Sequence, residues 1–168
     1  MQRAFLSLLT LLFAVCTFGH SAEAGPTLSA FGAGCVPADA AIQGNRYLIQ
    51  SGHVTNTSTN IALVTLYCPV LAIPGTADPG TMCLTYQDTS GTVTTSFVDA
   101  QVWSMSKTTG SIASGTLISS DSSSSTGVNR ICSALGTFDT TNNFYYVRID
   151  FQRSSTSITT AFYGITFD

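Results

Sequence analysis

Past residue 24 the chain holds one histidine, His53, and no glutamate. A serine–histidine–aspartate relay would need His53 as its base. That residue sits in an Asn- and Thr-rich stretch, and no G-x-S-x-G elbow accompanies it. The acids are Asp39, Asp78, Asp88, Asp99, Asp121, Asp139, Asp150 and Asp168. Two of them could hydrolyse a glycosidic bond, one as proton donor and one as base or nucleophile. Asp78, Asp88, Asp121 and Asp139 fall in turn sequences, where Asp serves to hold backbone N–H groups. Asp99 and Asp150 lie within strand-like stretches, on their polar faces. No residue is assigned a catalytic role from this pattern, and the reading is of a non-enzyme. A glycan hydrolase using an Asp pair stands as one rival.

Cys35, Cys68, Cys83 and Cys132 are the other reactive groups, at spacings of 33, 15 and 49 residues. These spacings match no C-x2-C zinc pattern. An even count in an exported chain reads as two disulfides. Of the three connectivities, Cys35 with Cys68 and Cys83 with Cys132 is preferred, since Cys35 precedes the first long strand and Cys68 ends the next. There is no dense D-x-D-x-D run of the kind a calcium loop uses. No metal and no cofactor are therefore expected. Asn56-Thr57-Ser58 is a glycosylation sequon.

The export expectation comes from the start of the chain. Arg3 gives a positive start, residues 4–18 are mostly apolar, and Ala22-Glu23-Ala24 matches a signal-peptidase site. Residues 1–24 read as a secretory signal and 25–168 as a single domain, secreted, periplasmic or at the cell surface. The apolar run falls short of the roughly 20 residues that span a bilayer, so no membrane association is expected after cleavage. Charged residues are only 9% of the chain and the net charge is −3. Without a basic patch, nucleic acid is not an expected partner.

Glu, Lys and Arg are scarce while Thr, Val, Ile, Tyr and Phe are abundant, which favours strands over helices. Strands are expected over 46–50, 61–68, 82–87, 93–105, 111–118, 128–135, 144–152 and near 161–167. The apolar run 61–68 suggests a strand covered on both faces. Residues 53–60 and the serine tract 119–126 read as exposed loops. Over 144–152, Tyr145, Val147, Ile149 and Phe151 alternate with Phe144, Tyr146, Arg148, Asp150 and Gln152. Tyr163 and Ile165 read as core partners in a C-terminal hairpin with that strand. The sum is an all-β antiparallel sandwich, jelly-roll-like, of 8–9 strands, stapled by disulfides.

Within that frame, Trp103, Phe144 and Tyr146 fall on the polar faces of their strands, and these three are the candidate binding residues. The competing reading is that this face packs against a second sheet or a covering loop. The functional expectation is a non-catalytic binding or adhesion module whose partner is a glycan or another extracellular protein. The other rival is a surface fibre subunit assembled by strand addition. The chain resembles chaperone-assembled fibre subunits in its size, its early disulfide and its terminal aromatic, Phe167. It lacks their C-terminal glycine placement.

Overall fold

The computed structural model describes residues 28–31, 34–59, 61–70 and 80–168, with the backbone alone for 28–31 and 122. The leader read over 1–24, Asp78 and most of the loop read over 69–81 lie outside these residues. The described chain forms two antiparallel sheets. The first contains β3 (Tyr47–Gln50), β4 (His53–Asn56), β11 (Thr160–Phe167), β6 (Thr81–Asp88) and β9 (Val128–Ala134), in that order. β1 (Leu28–Phe31) also pairs with β11, Leu28 opposite Phe167 and Phe31 opposite Gly164. The second sheet runs β2 (Val36–Pro37), β5 (Val64–Pro69), β10 (Asn143–Gln152), β7 (Phe97–Ser106) and β8 (Ile112–Ser119). The strands pass repeatedly between the sheets, as in a jelly roll.

The period-two pattern puts alternate side chains into the space between the sheets. Val98, Ala100, Val102, Val147, Ile149 and Phe151 enter from the second sheet. Val54, Leu84, Tyr86, Phe162, Ile165 and Phe167 enter from the first. The two disulfides join Cys35 to Cys68 and Cys83 to Cys132, as the preferred pairing has it. The second sits directly across the β6–β9 ladder. Closing loops of 33 and 49 residues removes about 4 kcal/mol each of unfolded-chain entropy in the loop-closure model. The described residues include the short helix α1 (Ala40–Gln43), capped by Asp39 Oδ1 accepting from the N–H groups of Ala41 and Ile42, and a 3-10 turn at Ser120–Ser122.

Five expectations need correction. Residues 53–56 form a strand: Ser51 and Gly52 both take positive φ, the two-residue turn that returns a strand directly along its neighbour. Strand β5 is only partly covered on its outer face: Thr65 is buried, but Tyr67 is 36% exposed. The serine tract is not simply an exposed loop, because Ser120 is fully buried and donates to Asp88 Oδ2. β10 and β11 form no hairpin; they lie in opposite sheets, so their apolar faces meet across the core rather than side by side. Finally, a bulge between Phe162 and Gly164 shifts the phase of β11. Phe162, Ile165 and Phe167 all reach the core, while Tyr163 leaves it and stacks on His53 with centroids 4.7 Å apart. The sequon is also put to another use. Asn56 is fully buried, its Nδ2 donates to the carbonyls of Ala62 and Phe151, and its Oδ1 accepts from Ser58 N–H.

Two outcomes follow from this packing. Phe162→Ala should cost roughly 3–5 kcal/mol in urea denaturation, and Tyr163→Ala less than half as much; equal losses would contradict the bulge. Protein folded in a glycosylating host should carry no glycan on Asn56, and an intact mass raised by a glycan there would contradict its buried, hydrogen-bonded state.

Candidate functional site

The two longest strands, β7 and β10, sit side by side near the middle of the second sheet and pair along their whole length. Residues directly opposite in a ladder share a face. Trp103 lies opposite Tyr146, Gln101 opposite Arg148, and Asp99 opposite Asp150. On the far side of β10, Tyr67 lies opposite Arg148 and Thr65 opposite Asp150. All of these residues point away from the core. The outer face is thus built in rungs about 7 Å apart along the strands: an aromatic rung, then Tyr67 with Arg148 and Gln101, then the carboxylates.

The structure brings Trp103 and Tyr146 together. Their ring planes are parallel to within 10°, with centroids 6.4 Å apart. Tyr67 completes the row, 5.6 Å from Tyr146 and turned 83° to it. Phe144 shares the face one rung beyond, 55% exposed, with Lys107 Nζ 5.0 Å above its ring. Met105 and Ile112 extend the same end of the face and are exposed. This face does not pack against the other sheet. Among the described residues, Tyr67, Phe144, Met105 and Ile112 keep 36–57% of their surface exposed along it.

Tyr67 was missed because its segment read as one apolar run. The alternation of Val64, Leu66 and Cys68 with Thr65 and Tyr67 carried the signal. Trp103 itself is half-buried, and its Nε1 has no hydrogen-bond acceptor among the described residues. His53, considered as a base, belongs to the opposite sheet and stacks on Tyr163.

The electrostatics of the face divide along the strands. Arg148 Nε lies 2.7 Å from Asp150 Oδ2, and Thr65 Oγ1 donates to Asp150 Oδ1 at 2.5 Å. Opposite it, Asp99 is pushed up to about 6. Burial is the main cause, and the nearby charges of Asp121 and Asp150 add to it against a hydrogen bond from Ser119. Asp121 is raised too, by burial and then by Asp88. Burial, then Tyr67, hold the Tyr146 hydroxyl above the usual phenol range against the lowering effect of Arg148. Among the described residues no three His, Cys, Asp or Glu side chains converge as metal ligands do.

No protein-family model matches the chain, and no curated protein does. Three solved structures show distant likenesses to it, with TM-scores below 0.5. One is a family two carbohydrate esterase from Cellvibrio japonicus, 13% identical with a TM-score of 0.44, over 84% of this chain and 33% of the esterase. This chain therefore spans about a third of that enzyme's length. Another is a family 29 carbohydrate-binding module complexed with mannohexaose, 11% identical with a TM-score of 0.43, over 85% of this chain and 91% of the module. The xylan-binding module CBM15 is 11% identical with a TM-score of 0.43, over 86% and 90%.

The raised Asp99 has a consequence for stability. An acid whose folded pKa exceeds its unfolded one binds more protons when folded, so stability falls as pH rises from about 4 to about 6. Allowing for partial solvent screening, the loss is on the order of 1–2 kcal/mol. Asp99→Asn should therefore raise the urea midpoint at pH 7.5 and leave it nearly unchanged at pH 4. A shift of the same size at both values would show that the cost lies elsewhere.

Proposed function

We propose that this protein is an exported, non-catalytic glycan-binding module whose site is the outer face of β5, β10 and β7. The observation that carries the reading is the row of Trp103, Tyr146 and Tyr67, part-exposed on the outer face of a sheet and bordered by Arg148 and Gln101. Pyranose rings present apolar C–H faces and polar hydroxyl edges. Aromatic faces suit the first, and fixed amide, guanidinium and carboxylate groups suit the second. The chain's low charge also favours stacking and hydrogen bonding over ionic recognition. Export agrees with the two disulfides.

A second reading has one observation in its favour. Asp99 and Asp150 face each other across β7 and β10, with Asp99 raised toward neutral pH and Asp150 paired with Arg148. Unequal carboxylates of this kind can divide acid and base roles in glycoside hydrolysis. The strand-addition reading meets a different situation: the edge of β11 beside β4 already carries the chain's own β1.

The deciding experiment is binding of soluble polysaccharides by affinity electrophoresis and calorimetry, with reducing-sugar release measured on the same polymers. Trp103→Ala should weaken binding at least tenfold. Because Trp103 is the only tryptophan, its emission should also shift when a bound glycan is added. Unchanged affinity in Trp103→Ala would remove this face from the function. Sugar release abolished by Asp99→Asn would favour the hydrolase.

A further inference from the structure

We propose that the aromatic face takes single, uncharged glycan chains laid across the strands, and not the flat surface of a crystalline polysaccharide. The inference rests on the glycan-binding reading above and specifies the form and charge of the ligand. Its first support is the attitude of the three rings. Trp103 and Tyr146 are parallel to within 10°, whereas Tyr67 stands at 83° to Tyr146. A crystalline polymer presents a plane, and it gains most from rings that share one plane. However Trp103 and Tyr146 are tilted against the sheet, Tyr67 is parallel to neither. A separate chain turns about its glycosidic bonds and can offer successive sugar faces at different angles. The step from β10 to β5 suits such a chain.

The path is set by the strand order. β7, β10 and β5 are neighbours, so the ring row crosses about 10 Å of sheet at the usual strand spacing. The two long sides of this row differ. On one lie Arg148 and Gln101, which can meet hydroxyl edges. On the other lie Phe144 and Met105, which offer no side-chain donor. A single chain with one polar edge and stacked faces fits this bed.

The charge limit comes from the next rung. Asp99 and Asp150 sit opposite each other there, and Asp121 acts on Asp99 as a further negative charge. The cation of this rung system, Arg148, is engaged by Asp150 at 2.7 Å. Lys107 is at the far end of the face, over Phe144 and donating to the carbonyl of Thr140. A uronate chain would bring carboxylates against two aspartates whose neighbouring guanidinium is already paired, and like charges at close range cost affinity.

The test uses the whole protein against each polymer in two forms. Soluble glucan, mannan and xylan, with polygalacturonate as the anionic arm, are compared by affinity electrophoresis. Microcrystalline cellulose, crystalline mannan and chitin are compared by depletion from solution. The expected result is retardation by at least one neutral soluble polymer, none by polygalacturonate, and no depletion by the crystalline solids. Tyr67→Ala should lose about tenfold in affinity for the soluble chain, and Tyr67→Phe should stay within about twofold of the parent. Depletion by a crystalline solid without affinity for any soluble chain would overturn the single-chain inference and leave the glycan-binding reading standing. Retention by polygalacturonate in preference to the neutral polymers would overturn the charge limit. Tyr67→Ala binding as well as the parent, while Trp103→Ala does not bind, would remove the step at Tyr67 as the cause. Failure to bind every polymer in both forms would overturn the glycan reading itself.

Discussion

The β7–β10 ladder governs both sides of this molecule at once. Ten residues of each strand pair in one unbroken register, from Asn143 opposite Ser106 to Gln152 opposite Phe97. On the inner side this register sets Val147 against Val102, Ile149 against Ala100 and Phe151 against Val98, all buried. On the outer side it sets Tyr146 against Trp103, Arg148 against Gln101 and Asp150 against Asp99. A slip of one residue would exchange the two faces, drawing charges inward and exposing the core. The burial of the inner set, worth roughly 1.5–3 kcal/mol per large side chain, therefore holds the outer set in place.

A polar network secures the end of the sandwich next to the carboxylates. Asp88 is buried, and its Oδ1 accepts from the N–H and hydroxyl of Ser90 at 3.0 and 2.6 Å. Its Oδ2 accepts from Ser120, whose hydroxyl in turn accepts from Val98 N–H at 2.8 Å. Ser96 and Ser154 share a hydrogen bond of 2.7 Å that ties the start of β7 to the link after β10. Arg153 donates from that link to the carbonyl of Ser58. A chain so poor in charge meets its buried polar groups with hydroxyls, and satisfied groups of this kind cost little. The network also brings Asp121 close enough to act on Asp99, so a structural device at the end of the sandwich reaches the outer face.

That outer face is less settled than the core beneath it. Asp99 Oδ1 and Trp103 Nε1 are enclosed without hydrogen-bond partners among the described residues, and large aromatic surfaces remain in water. Buried polar atoms without partners are unfavourable. The stable inner packing carries this cost, while the disulfides brace strands in each sheet.

Much of this was legible in the chain itself. The alternation over residues 144–152 assigned inner and outer faces correctly, because a half-buried strand must repeat every two residues. Cysteine number and spacing led to the two disulfides, and composition to an all-β fold. Trp103, Phe144 and Tyr146 were placed on one kind of face for the same reason. What the linear pattern could not carry was which strands become neighbours. Tyr67 joined Tyr146 and Trp103 because β5 pairs with β10, a contact between residues far apart in sequence. The opposition of Asp99 and Asp150 likewise exists through pairing alone, and the raised Asp99 comes first from its burial in the folded chain. The bulge at residues 162–164 turned Tyr163 outward against its own alternation, since Phe162 and Ile165 gain more from the core than an unbroken ladder would. Outside the bulge, local periodicity determined which way the strand side chains face; the meeting of distant strands decided what they face beside, because that depends on how two sheets bury their apolar sides together.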